Sequence, residues 1–176
     1  MESKRFIGTL NVTPMGKIPY NFVLYMGRNS EDLFSISPDI EKVTGLSLEE
    51  ARKSNETKHD AYVHGLVTVV NNGKEIIFFI NTNRQKGRVD EVGAMKAWVE
   101  LVAHESVHLA RVIINRHMIK SDKWAEMDWN CVGEDCKIDE ESFADTVGKL
   151  AEVVIRDAMS IQDGMDRDFK FRVKTK

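Results

Sequence analysis

Apolar and polar positions along the 176-residue chain follow two different periods, and the change between them falls near residue 90. Before it, short runs rich in β-branched and aromatic residues alternate with turn-forming residues. Arg5 to Val12 and Tyr20 to Met26 read as two strands, joined by a loop carrying Pro14, Gly16 and Pro19. Pro38 and Asp39 open a helical stretch that Gly45 interrupts. Ser47 then caps a second piece, Leu48 to Lys53, with Glu50 three residues on to form a capping box. His64 to Val70 and Glu75 to Asn81 flank the turn Asn71-Asn72-Gly73 and predict a hairpin. The run Ile76 to Asn81 is almost continuously apolar. It suits a buried central strand and an edge strand beside the next helix equally well.

After residue 90 the period becomes helical. Asp90 to about Met118 predicts one long helix, and residues 120 to 138, with Trp124, Met127 and Trp129, a loop or short helices. Phe143, Val147, Leu150, Ala151, Val154 and Ala158 then recur at the 3.6-residue spacing of an amphipathic helix. Asp139 suits its N-cap, and Ile138 with Phe143 has the spacing of a hydrophobic staple. Gly148 is expected to let two helices approach closely. The alternating Phe169, Phe171 and Val173 predict a short strand or a frayed end. The order gives an α+β fold in a single domain, 1–176. Its N-terminal β/α part covers about 1–73 and its core about 75–158, with a small antiparallel sheet packed on two helices.

The first of those helices carries His104-Glu105-Ser106-Val107-His108. At about 100° per residue, the two histidines lie roughly 40° apart on one face, one turn removed, so both rings can meet one tetrahedral zinc ion. Glu105 projects beside them, placed to act on a metal-bound water as a general base. Two histidines and a glutamate on a mostly apolar helix are costly to bury without a partner. On the second helix Glu141 and Asp145 are four apart and share a face. Glu141 would complete a two-His, one-Glu site holding one zinc ion per chain. Asp145 would accept the other ring N–H of a ligand histidine. The plain alternative is a solvated acidic first turn favoured by the helix dipole.

His104-Glu105-x-x-His108 followed by Glu141-x-x-Ala144-Asp145 resembles the signature of the gluzincin metallopeptidases over roughly residues 75 to 158. The short chain and the tail of the motif are similar to small single-domain versions, minigluzincin-like and including the putative metallopeptidases encoded by phages and prophages. The resemblance implies a zincin-like fold with His104, His108 and Glu141 as ligands, Glu105 as general base and Asp145 behind a histidine. In the phage-type pattern the position of Asp145 is often aromatic. The resemblance also implies an edge strand before the motif helix that binds substrate backbone by strand addition.

Other layouts fit less well. Position 114 is Ile where a metzincin has its third histidine, and His117 falls on the far side of the helix, where the dipole favours a cation. The Gln-Gly and Glu-Gly-Cys motifs of peptide deformylases are missing. Cys131 and Cys136 have no second pair to close a zinc site and read as free thiols. Tyr62, His59 and His64 are the candidates for stabilising an oxyanion.

A net charge of −3 leaves no basic footprint for nucleic acid, and no apolar run reaches membrane-span length. The first residues have no apolar h-region, which predicts a cytoplasmic protein. The reading is a zinc-dependent peptidase acting on peptide or protein substrates. The alternatives are a zinc-stapled phage or host interaction protein without activity, and a regulatory peptidase that cuts a repressor. No helix-turn-helix accompanies the motif to favour the last.

Overall fold

The structure, a computed structural model, describes residues 1–13, 15–57, 63–82, 91–118 and 140–174, with side chains placed on 1–13, 15–54, 63–82, 99–117, 142–158 and 160. Strands β1 (Glu2–Val12) and β2 (Gly16–Gly27) precede a 3-10 turn at Ser30–Ser35. The short helices α1 (Ile40–Thr44) and α2 (Leu48–Thr57) follow. Strands β3 (Gly65–Val70) and β4 (Glu75–Asn81) lead to the long helices α3 (Glu91–Met118) and α4 (Glu140–Lys174).

The four strands form one sheet in the order β1-β2-β4-β3. Both hairpins are antiparallel, but β2 and β4 pair in parallel, Phe22 with Ile76 through to Gly27 with Asn81. The sheet is therefore mixed, which corrects the antiparallel expectation. The physical reason lies in the two most apolar segments, Phe22–Met26 and Ile76–Ile80. Each needs cover on both faces and a neighbour on both sides, so the hairpins join through them. The segment between β2 and β4 is long enough for the crossover that a parallel pair requires. The choice left open for Ile76–Asn81 is decided: β4 is central and β3 is the edge.

One sheet face packs on α3 and α4. Phe22, Leu24, Met26, Phe78 and Ile80 meet Leu109, Ile113, Leu150, Val154 and Ala158 in the larger core. The other face holds a smaller core, in which Ile77, Phe79 and Val70 meet Leu33 and Ile40. The 3-10 turn was not foreseen. Asn29 and Asp32 cap it reciprocally, in the way Ser-x-x-Glu does for an α-helix.

Several local expectations hold. Gly45 ends α1 in the left-handed region at φ 69°. The Ser47 hydroxyl accepts from the Glu50 N–H at 3.3 Å. The β3–β4 turn uses positive φ at Asn71, Asn72 and Gly73. Pro19 sits within β2 rather than before it. It pairs with Thr9 where β4 does not reach, so a missing donor disturbs no second ladder.

Two local expectations are corrected. Gly148 faces open space, and a Cβ there would meet nothing within 4 Å, so it plays no part in helix contact. The C-terminal tail continues α4 to Lys174 rather than forming a strand. No proline interrupts residues 140–174, and five alternating residues are too few to overcome helix propagation. Among the described residues no helix is long and apolar enough to cross a membrane.

Candidate metal centre and cleft

Helix α3 runs beneath the edge of the sheet, and its residues 101–108 lie against the start of β3. The helix is held there from its second half. Leu109, Ala110, Val112, Ile113 and Ile114 are all buried, and Arg116 donates to the Lys74 carbonyl in the hairpin turn at 3.2 Å. This apolar anchorage fixes which face of the preceding turns looks outward. His104 is exposed and His108 half-buried on that face.

The two rings meet as their spacing predicts. Their Nε2 atoms are 3.3 Å apart, with the ring planes at 69° to each other. Two nitrogens each about 2.05 Å from one tetrahedral zinc ion stand about 3.3 Å apart, so the pair fits that ion without rearrangement. A direct contact at that distance has one ring donating to the other. Burial holds the His108 ring below the usual imidazole range, and the neighbouring His104 and Arg111 act in the same direction. The neutral form that ligation requires is therefore favoured.

Glu105 is only 6% exposed. Burial alone lifts its carboxyl from 4.5 to about 7. The cause is visible at Gly65, the first residue of β3. A Cβ on Gly65 would stand 2.7 Å from Glu105 Oε1, 2.8 Å from its Cγ and 2.9 Å from Leu101 Cδ1. Only a glycine lets the strand backbone lie this close to the carboxylate.

The start of β3 is itself pinned from below. The Ser30 hydroxyl accepts from the Val63 N–H at 2.9 Å, and the buried Asn81 amide donates to the Val63 carbonyl at 2.9 Å. The Asn81 N–H donates to the His64 carbonyl at 2.9 Å. Buried polar groups of this kind are costly to leave unpaired, so the network fixes where residues 63–65 stand.

An open cleft of about 510 Å³ lies along this junction. Leu46, Val63, Leu66 and Leu101 supply its apolar wall, and His64, Glu100, His104 and Glu105 its polar groups. Of the three residues considered for an oxyanion, His64 lines the cleft, while Tyr62 and His59 lie outside the described residues. His117 sits exposed in the last turn of α3, away from this cleft.

Helix α4 packs against α3 on the same face of the sheet, and Phe143, Val147, Leu150, Ala151, Val154 and Ala158 all join the shared core. Glu141 falls in its first turn, but its side chain lies outside the described residues, as do Ile138, Asp139, Cys131 and Cys136. Asp145 is exposed, and no hydrogen bond joins it to either histidine among the described residues. No group of three His, Cys, Asp or Glu side chains arranged for a metal occurs among the described residues.

Sequence reasoning missed Gly65, Leu46 and the Ser30–Asn81 network. Gly65 left one signal, a glycine opening a strand immediately after a histidine. The other two leave none, because they act through contacts distant in sequence. The chain matches no protein-family model, no curated protein and no solved structure.

Proposed function

We propose that the protein is a zinc-dependent peptidase, with His104, His108 and Glu141 holding one zinc ion and Glu105 acting as general base. The observation that carries this reading is the pair of Nε2 atoms 3.3 Å apart beside a buried carboxylate at an open cleft. A zinc ion that only stapled two helices would have no use for either the cleft or the carboxylate.

Zinc bound at such a centre polarises a carbonyl and lowers the pKa of a water toward ~7. The chain supplies the rest. His108 is kept neutral by burial. Glu105, buried beside the two histidines at the cleft, would take a proton from the attacking water. The water oxygen bonds to the scissile carbon, and the same proton passes to the amine nitrogen as the C–N bond breaks. Among the described residues the outer edge of β3 pairs with no further strand, which suits an extended peptide added as a fifth strand beside the cleft. Of the three candidates His64 is the one that lines the cleft, and it would donate to the oxyanion. Asp145, one turn beyond Glu141, would turn toward a ligand histidine once the ion is held.

The test is elemental analysis together with digestion of an unbiased peptide library, with and without chelator. About one zinc per chain is expected, lost in His108→Ala. Glu105→Gln should keep zinc and lower hydrolysis by ~10²–10⁴-fold, because an amide cannot take the proton. Full zinc retention in His108→Ala would overturn the ligand assignment. An inert wild-type chain holding zinc would overturn the activity.

A further inference from the structure

Helix α3 carries a third polar side chain on the stripe of its two histidines. Relative to His104, His108 lies at about +40° and Arg111 at about −20° around the axis. Arg111 is half-buried, and its Nε is buried with no hydrogen-bond partner among the described residues. A guanidinium is always charged, and leaving one of its N–H groups buried and unmatched is costly. The Nε–H and one Nη–H form the side-on edge that grips a carboxylate with two parallel bonds, and the Nε–H of that edge has no partner among the described residues.

We propose that Arg111 is the anion anchor of this centre, holding the C-terminal carboxylate of a peptide whose last peptide bond lies at His104 and His108. The inference rests on the peptidase reading for the reaction, though not for the binding.

Two observations place the anchor. The cleft lined by Leu46, Val63–Leu66, Glu100, Leu101, His104 and Glu105 lies on the N-terminal side of His108, and Arg111 does not line it. A peptide in that cleft would therefore cross the histidines and end toward Arg111. Arg111 stands about 4.5 Å beyond His108 along the helix, and its side chain leans back toward the N-terminus. A single residue past the scissile carbonyl spans roughly 3–4 Å, so one residue and its carboxylate fill the interval.

The substrate class is then a peptide with a free C-terminus, shortened one residue at a time. A C-terminal amide would leave the guanidinium unpaired, which is the kind of difference that discriminates strongly between otherwise identical ligands.

The experiment is equilibrium dialysis of zinc-loaded Glu105→Gln protein against a tripeptide library prepared as free acids and as C-terminal amides, read by mass spectrometry. Free acids should be retained at least ~10-fold better than amides. Arg111→Met on the same background keeps the aliphatic packing and should make the two forms equal, with zinc content unchanged and melting unchanged or raised. Arg111→Lys keeps the charge without the fork and should fall between.

Equal retention of the two forms by the Arg111 protein overturns the anchor. So does retention of neither, and so does a preference that survives Arg111→Met. A carboxylate of the chain itself seated on Arg111 would give the first of these results. Hydrolysis by wild type is followed alongside. Chelator-sensitive cleavage without acid preference overturns the anchor and leaves the peptidase reading standing. Acid-preferring binding with no cleavage of either form does the reverse.

Discussion

Two neighbouring stretches of helix α3 are built on opposite terms. Residues 109–114 are almost wholly buried, in contact with both the sheet and α4. Residues 103–108 expose Ala103 and His104, half-expose His108, and bury a carboxylate at Glu105 and a hydroxyl at Ser106. The Ser106 Oγ has no hydrogen-bond partner among the described residues. The earlier stretch therefore carries polar groups that oppose folding, and the later stretch supplies the burial that offsets them. The difference teaches that the motif is held rather than self-supporting: its geometry comes from the turns that follow and from the backbone of β3 above it.

The sharpest way to break that comparison is to weaken the holding stretch. Ile113 is 2% exposed in the larger core. Ile113→Ala leaves a cavity and should cost about 2–5 kcal/mol of unfolding free energy by urea titration, with the proposed zinc ligands untouched. At saturating zinc the specific activity per folded molecule should stay within about twofold of wild type. A variant with wild-type stability would mean that α3 is not fixed by this packing.

Glu105 tests the opposite stretch. Its carboxyl ordinarily titrates at 4.5 and is raised to about 7 in the fold. Below 4.5 the group carries its proton folded or unfolded. Between the two values the unfolded chain ionises while the folded chain keeps its proton, so stability falls as pH rises. Above 7 up to roughly 3 kcal/mol has been lost. His108 works the other way: its folded value lies below 6.5, so its contribution is present above 6.5 and is lost as pH falls beneath it. Metal-free Glu105→Gln should therefore gain stability over the metal-free wild type between pH 5 and pH 8. The expected gain is several degrees in melting temperature at pH 8 and little at pH 5. Parallel melting curves at both pH values would show that Glu105 is not desolvated.

The same contrast explains what was legible in the sequence. Periodicity is local, so the core stripe of α4, the Gly45 stop and the Asn71–Gly73 turn could be read directly. His104 and His108 were legible because helix geometry converts a spacing of four into a shared face. The parallel β2–β4 pair was not, because it joins strands about fifty residues apart, and hairpin signals speak only for adjacent strands. Gly148 misled for a related reason: a glycine on a helix looks the same whether it faces a neighbour or solvent. Glu105 was expected beside the histidines, but its depth depends on Gly65, forty residues away, and on the Ser30–Asn81 pair that sets the position of β3.

Asp145 gives the smallest expected effect and bears on how far the centre extends from α3 to α4. It is exposed, on the face of Glu141, one turn further along the helix. If it steadies a ligand histidine in the zinc-bound protein, its removal withdraws one charge-assisted hydrogen bond from the site while leaving every ligand in place. Asp145→Ala should then weaken zinc by ~10- to 100-fold in competition with a chromogenic chelator. The metal-free melting temperature should not move, because no bond to a histidine exists for the substitution to break. Asp145→Asn, which keeps an acceptor oxygen without the charge, should recover part of the affinity. That partial recovery separates a hydrogen-bonding role from a general effect of negative charge near the ion. Unchanged zinc affinity in both variants would make Asp145 a surface carboxylate, and the centre would then rest on the two histidines of α3 with Glu141 as the sole contribution from α4.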